Sequence, residues 1–396
     1  MAERARSHRI LHVTRNLPPL VGGMERLNWH IAEALSRHAR VQVVGPAGAA
    51  ACRPAGVDVQ EVPLRPLWRF LLASAWCTFR LAHQHRPDWV LAGSGLTAPA
   101  AWLAARACGA RAAVYVHGLD VAVRHPVYRA LWHPILRRMD AVVANSRPTA
   151  ALVRDIGVDA GAVQVVSPGV ALPATAQAPA ALRAFRERYG LGDAPLLLSV
   201  GRLTRRKGLR EFVLEALPAI IREIPDALLV VVGDVARDSL LPGMQTRDSI
   251  QAEAEAAGIG AHLRFLGGVD DAELACAYEA ASVHVFPVIE LPGDPEGFGM
   301  VAIEAAAHGL PTVAFAAGGI VDAVQEGVSG RLIANADYPA LSSAVVALLQ
   351  PPASGLRDSA RRFAEGFAWP RFEGRLWAAL TADAGRQAPD LPAVQD

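Results

Sequence analysis

Short β-branched or Leu-rich runs alternate along the chain with longer Ala-rich helical stretches. In the first half the runs are Ile10–Val13, Val41–Val44, Trp89–Ala92, Ala113–Val116 and Ala141–Ala144. In the second half they are Leu196–Val200, Leu228–Val232, Leu263–Phe265, Val283–Phe286 and Thr312–Phe315. Continuous rather than alternating apolarity predicts strands buried on both faces, hence parallel sheets covered by helices. Strand followed by helix, repeated throughout, is the rhythm of a doubly wound α/β fold. Ten such strands are many for one open sheet, so two sheets of five or six each are expected. Val170–Ala181 is rich in Pro and Ala and carries no charge, which predicts an interdomain linker ahead of a helix over Leu182–Tyr189. A second Pro/Gly break, Pro351–Gly355, precedes the final helices, and the polar tail beyond Gln387 is expected to fray.

Composition narrows this picture without changing it. At 396 residues the chain is long enough for two domains. With 52% hydrophobic and 19% charged residues it is a globular chain, not a disordered one. A net charge of +1 argues against a protein that coats nucleic acid. Cys52, Cys77, Cys108 and Cys276 form no C-x-x-C pair, so neither a disulfide framework nor a zinc site is expected, and a reducing, cytoplasmic setting fits. The N-terminus is too briefly apolar for a secretory signal, and no run approaches the length of a membrane span.

The candidate chemistry gathers where predicted strands end, which is where doubly wound folds bind ligands. Gly22-Gly23 follows the first strand and opens a helix, so the backbone can approach an anion, although an ordinary strand–helix turn would look the same. No G-x-G-x-x-G fingerprint is present, which argues against a dinucleotide-dependent oxidoreductase. His117-Gly118 follows Ala113–Val116 and could hydrogen-bond a hydroxyl or a leaving oxygen. Gly201 opens a run with Arg202, Arg205, Arg206, Lys207 and Arg210 and no acid before Glu211, a charge pattern suited to a diphosphate. Glu296 and Glu304 stand eight residues apart around Gly297-Phe298-Gly299-Met300, with Glu296 at or just before a helix start. Glycines there leave amides accessible to phosphate oxygens. Glu304 lies in an otherwise apolar helix, where a carboxylate is costly unless partnered, and that favours a ligand-facing role. Gly318-Gly319 after Thr312–Phe315 is a weaker signal of the same kind.

Taken together, Gly22-Gly23-Met24-Glu25, His117-Gly118, Gly201-Arg202-Leu203 with Lys207-Gly208, and Glu296-Gly297-Phe298-Gly299 leading to Glu304-Ala305 resemble glycosyltransferase family 4. Val166–Val170 and His308–Ala314 extend the likeness over nearly the whole chain. The resemblance implies a GT-B fold, two Rossmann-like doubly wound parallel-sheet domains facing across a cleft. Residues 1–172 would form the acceptor domain, 173–368 the nucleotide-sugar domain, and a last helix over about 369–390 would return to the first domain. It further implies that Arg202 and Lys207 bind and stabilise the leaving diphosphate, that Glu296 orients the donor sugar, and that Glu304 receives the ribose hydroxyls. Backbone amides around Gly297, Phe298, Gly299 and Met300 would contact phosphate and sugar. His117 would lie near the transferred sugar, with Gly22 and Gly23 lining the meeting point of donor and acceptor. The family implies retention of configuration, a nucleotide diphosphate sugar as co-substrate, and neither metal nor cofactor.

The loop Val288–Pro295 is longer than in many relatives and resembles that of bacterial mannosyltransferases acting on phosphatidylinositol or related lipids. That tilts the donor toward GDP-mannose over a UDP-sugar, and the acceptor toward a lipid-linked one or a saccharide, in cell-envelope glycan or glycolipid synthesis. Two acid-free stretches, Val62–Pro87 with Trp68, Phe70, Trp76 and Phe79 among four arginines, and Val121–Met139 with Tyr128 and Trp132 among four more, suit the surface of an anionic membrane. The expectation is a cytoplasmic enzyme held peripherally at the inner face of the membrane. The alternative for these stretches is aromatics facing the core and arginines facing water. The alternatives for function are another GT-B enzyme, an epimerase or an inverting transferase, and a non-catalytic nucleotide-sugar-binding partner of a polysaccharide assembly complex.

Overall fold

The computed structural model describes residues 8–235, 245–350 and 355–381. Residues 351–354 of the second Pro/Gly break, everything after Thr381 in the last helix, and the polar tail lie outside the described residues. The chain divides into two compact units, one holding the residues up to Gly169 together with the helix Trp369–Thr381, the other spanning Val170–Ala368.

The first unit is built on a seven-stranded parallel sheet: β1 (His8–Val13), β2 (Ala39–Pro46), β3 (Asp58–Val62), β4 (Trp89–Ala92), β5 (Arg111–Val116), β6 (Ala141–Ala144) and β7 (Val163–Val165). Their order is β3-β2-β1-β4-β5-β6-β7. The second unit carries β8 (Leu196–Val200), β9 (Leu228–Val232), β10 (Leu263–Gly267), β11 (Val283–Phe286), β12 (Thr312–Phe315) and β13 (Gly330–Ile333), in the order β10-β9-β8-β11-β12-β13, again all parallel. Both orders reverse direction beside the first strand, the topological switch of a doubly wound sheet.

Three strands were not expected, β3 and β7 in the first sheet and β13 in the second, because none carries a long apolar run. Each lies at a sheet edge. An edge strand is covered less than a central one, so DVQEV and VQV keep polar side chains that the central strands cannot. The helix after the linker also begins earlier than expected, at Pro179, because proline's fixed φ and missing N–H suit the first helical position.

Three helices of the first unit matter below: α1 (Gly23–Ser36), α2 (Leu67–His85) and α3 (Ala98–Cys108). The helix Trp369–Thr381 packs on α1, burying Phe372 and Leu376 in the same cluster as Ile31 and Tyr115. Gly169 is where this helix meets the chain, since a Cβ there would overlap the Trp369 ring. No helix among the described residues is long and apolar enough to cross a membrane.

Candidate active site

In the second unit the run after β8 does not act as one block. Arg205–Lys207 forms a single 3-10 turn, and Gly208 then takes a left-handed conformation (φ 66°) to cap the helix Leu209–Glu215. A Cβ on Gly208 would overlap the Pro287 carbonyl oxygen, so only glycine lets the cation turn lie against the segment after β11. The contact continues through Ile289 N–H, which donates to the Arg206 carbonyl at 3.0 Å. Arg210 turns away and pairs with Glu253 at 2.7 Å. Arg205 is exposed.

Arg206 and Lys207 form one ion-paired cluster, and the exposed Arg202 adds its charge alongside. Lys207 Nζ donates to Glu296 Oε2 at 2.9 Å and sits 4.8 Å from the centre of the Phe286 ring. Arg206 pairs with the same Glu296 oxygen and with Asp294 at 3.2 Å. Burial, with the positive charges of Arg206 and Arg202 alongside, pushes the Lys207 ammonium well below its usual range. Arg206 and Asp294 were not singled out by the sequence. The only signal for Arg206 was its place in the cationic run, and Asp294 comes from the longer loop.

That loop is fixed at several points. Leu291 and Asp294 bridge across its turn, and Glu290 N–H donates to Asn335 at 3.2 Å. Its far end rests on Gly318-Gly319: Gly319 N–H donates to the Glu296 carbonyl at 2.8 Å, and a Cβ on Gly319 would overlap the Gly297 carbonyl. The weak glycine signal is therefore a seat for the backbone that carries Glu296.

Glu296 lies in the loop and not on the helix, which runs Met300–Ala307 behind Gly299 in a left-handed conformation (φ 94°). Of the two places the sequence left open for Glu296, at the helix start or just before it, the structure has the second, and only Glu304 is on the helix. The first amides of that helix have no intrahelical carbonyl to bond, so Met300 opens an N-terminus facing anions. Phe298 contributes only backbone, because its ring is buried beside Phe367. Glu304 Oε2 accepts from the Tyr278 hydroxyl at 3.1 Å. This supplies a protein partner for the carboxylate that the sequence left to a ligand. Tyr278 also stacks on His308, which reaches Glu279 at 3.0 Å. Behind Lys207, His284 is fully buried and bonded to Thr312, and burial together with the nearby Lys207 charge lowers its pKa to about 3. Gly201 hydrogen-bonds Val232, and Gly233 fits against its carbonyl, closing the turn that leads to Arg202.

The other three sequence candidates lie in the first unit. Gly22 caps α1 and Gly23 opens it, with Glu25 held by Asn16 at 2.7 Å. His117 follows β5, its backbone N–H donating to Asp120 at 2.9 Å. Its Nε2 lies 2.8 Å from the Gly93 carbonyl, which can only accept, so Nε2 carries the hydrogen and a neutral ring keeps Nδ1 as acceptor. Gly93 in turn sits against Asn28 of α1 and Thr14 beyond β1, where a side chain would overlap both. One glycine thus ties together the carboxyl ends of three strands and the glycine-opened helix. Among the described residues, no group of three His, Cys, Asp or Glu side chains could hold a metal ion.

Two doubly wound units, with cations at the end of a strand, a bridging carboxylate and a glycine-opened helix beside it, define a glycosyltransferase of GT-B type. The family model described as Glycosyltransferase Family 4 matches residues 21–172, and that of Glycosyl transferases group 1 matches 183–366. A GDP-mannose-dependent alpha-(1-6)-phosphatidylinositol monomannoside mannosyltransferase of Mycolicibacterium smegmatis is 33% identical over 69% of this chain and 70% of its own. The protein of that name in Mycobacterium tuberculosis is 30% identical over 86% and 89%. A D-inositol 3-phosphate glycosyltransferase of Streptomyces coelicolor is 30% identical over 94% and 89%. Among solved structures, Anabaena Alr3699/HepE in complex with UDP and glucose superposes with a TM-score of 0.77 at 18% identity, over 95% of this chain and all of that one. WaaG, a glycosyltransferase involved in lipopolysaccharide biosynthesis, gives 0.70 at 19% identity, over 95% and 100%. This chain belongs to glycosyltransferase family 4.

Proposed function

We propose that the chain transfers a hexose, mannose in first place, from a nucleotide diphosphate sugar to a lipid-linked or saccharide acceptor with retention of configuration. GDP-mannose is the donor we favour, supported by the names of the mycobacterial relatives and by the loop that brings Asp294 to Arg206. The observation that carries the reading is the pairing of Arg206 and Lys207 on Glu296, with the Arg202 charge alongside and the helix that opens at Met300 following in the chain.

Transfer breaks the bond between the anomeric carbon and a phosphate oxygen, leaving negative charge on the diphosphate and positive charge on the ring. Arg202 and Lys207, with Arg206 behind them, stabilise the first, as fixed cations in a poorly hydrated site do. The amides around Gly297, Phe298, Gly299 and Met300 add to them. Glu296 accepts from the donor sugar's hydroxyls and Glu304 from the ribose, with Tyr278 orienting Glu304. The acceptor oxygen bonds to the anomeric carbon on the face the diphosphate leaves, and its proton passes to a departing phosphate oxygen. No cofactor or metal enters this scheme. In the first unit, His117 with Gly22 and Gly23 handles the transferred sugar and the acceptor, and the unit makes peripheral contact with an anionic membrane.

The test is a donor screen. Hydrolysis and transfer are followed with GDP-mannose, UDP-glucose and ADP-glucose, with and without chelator, and the product anomer is read by NMR. Turnover of GDP-mannose above the others, insensitive to chelator, with an α product from an α donor, is expected. An inverted product would overturn the mechanism, and preference for a UDP-sugar would overturn the donor. Near-normal turnover in Glu296→Gln with unchanged donor affinity would remove Glu296 from its role.

A further inference from the structure

Helix α2 has two apolar faces. Phe70, Ser74, Thr78, Leu81 and Ala82 are buried and pack it onto its unit. On the opposite side Trp68, Leu72, Trp76 and Phe79, at spacings of four, four and three, form a second stripe along the helix. These four are 62%, 65%, 68% and 43% exposed. Phe70, grouped by the sequence with the surface aromatics, belongs instead to the core, and Tyr128 and Trp132 stack on one another half-buried. Among the described residues ten large apolar side chains are exposed, and eight of them fall between Leu67 and Leu131. The stripe has neighbours: α3 packs on α2 and exposes Leu103, and the helix Pro126–Leu136 packs on α3 and exposes Leu131.

The same segment is where the chain's charge is segregated. Residues 62–139 hold ten arginines against Asp88 and Asp120, a net +8, while the remaining 29 basic and 36 acidic residues sum to −7. Every cation here is Arg, and α2 itself has no acid. Arg69 and Arg80 each follow directly after a residue of the stripe, Trp68 and Phe79, at its border.

We infer that the outer face of α2 is a docking surface for an anionic lipid bilayer, with the Trp68–Phe79 stripe entering the headgroup boundary and the arginines meeting lipid phosphates. An exposed aromatic stripe of this kind marks an interaction site. Its arginine border and the absence of acids select a negatively charged occupant, and Trp and Phe side by side with Arg select an interface over an acidic protein. The inference rests on the peripheral-contact reading given above and deepens it by assigning the surface.

The experiment uses the full chain. Co-sedimentation is measured with vesicles of phosphatidylcholine alone and with phosphatidylglycerol added, at about 50 mM and about 500 mM salt, where screening differs severalfold. The expected result is binding to the anionic vesicles at low salt, weakened at least about tenfold on neutral vesicles or at high salt. The double substitution Trp68→Ser with Trp76→Ser, and separately Arg69→Glu with Arg80→Glu, each lowers binding at least about tenfold, because both an apolar and an electrostatic contribution are needed. All of these positions are exposed, and circular dichroism confirms the fold. Absence of binding by the wild type at low salt, or undiminished binding in both variants, overturns the inference. So does a change from dimer to monomer in the Trp variant, by light scattering, with vesicle binding unchanged. Donor hydrolysis in free solution separates the two readings: its absence in the wild type counts against the proposed transfer, and its persistence in a variant that has lost vesicles assigns the loss to the surface.

Discussion

The two units share a rhythm and differ in what they do with cations. In the first, arginines crowd a 78-residue segment and border an exposed aromatic stripe. In the second, two cations from one turn, Arg206 and Lys207, are drawn against Glu296 and Asp294, and burial makes their charge costly to hold. Both arrangements contribute to a net charge of +1 and neither is visible in it. What distinguishes them is position. A cation just past a buried strand is fixed by the backbone around it and acts on one ligand. A cation on an amphipathic helix shares a diffuse field, and single residues matter little.

Removing one cation from each region breaks this comparison most directly. Lys207→Met is expected to lower transfer by about 10²–10³, the usual loss when one fixed charge-stabilising group is removed. Arg69→Ala is expected to leave donor turnover unchanged and stability within about 0.5 kcal/mol. Steady-state kinetics and thermal melts of the two variants check both, and equal effects would erase the distinction.

Next in size is the seat beneath Glu296. Gly319→Ala forces a methyl group onto the Gly297 carbonyl, and overpacking of this kind costs about 1–3 kcal/mol. Since the displaced backbone carries Glu296, kcat is expected to fall along with the melting temperature, whereas Ala at Gly109, which meets nothing nearby, lowers stability through its positive φ without touching kcat. Kinetics at a temperature where both variants are folded separates the two.

The units also share a feature, a histidine with no exposed surface in each, His12 with its pKa lowered to about 4 and His284 to about 3. Both stay neutral when folded, while the unfolded chain takes up their protons near pH 6.5, so acid favours unfolding. Stability is expected to be full above about pH 6.5 and to fall toward pH 4, with a slope on the order of 1 kcal/mol per pH unit for each histidine. His284→Asn should flatten this slope in the second unit, and melts followed across that range would show whether it does. The smallest expected effect is Tyr278→Phe. It removes one hydrogen bond to Glu304, worth about 1 kcal/mol, and should raise the donor KM severalfold with kcat little changed.

The central strands were legible because a strand buried on both faces is largely apolar throughout, and β4, β6 and β9 are wholly so. The edge strands were not, because partial exposure leaves their composition mixed. Arg202, Lys207 and Glu296 could be picked from the motifs and charge alone, and the structure pairs Lys207 with Glu296 while Arg202 stays exposed beside them. Arg206 could not be separated from Arg205 or Arg210, since a run of cations does not state which side chain turns inward. Gly318-Gly319 looked like a ligand turn and is a backbone seat, a distinction that depends on what lies opposite. The outer stripe of α2 was legible in part: spacing places Trp68, Trp76 and Phe79 together, but only packing shows that Phe70 points the other way.

The loop after β11 is held at both ends by contacts that tolerate no side chain, Gly208 against Pro287 at one and Gly318-Gly319 against Glu296 and Gly297 at the other. Between these clamps, residues 288–294 bond outward through single hydrogen bonds and one ion pair. The consequence is modularity. Val288 and Ile289 belong to the core beneath, but residues 290–294 can change length or composition without disturbing the sheet of this unit, because the clamps lie outside them and loop length alone costs little. A library confined to 290–294, with the clamping glycines kept fixed, is where an engineer would begin.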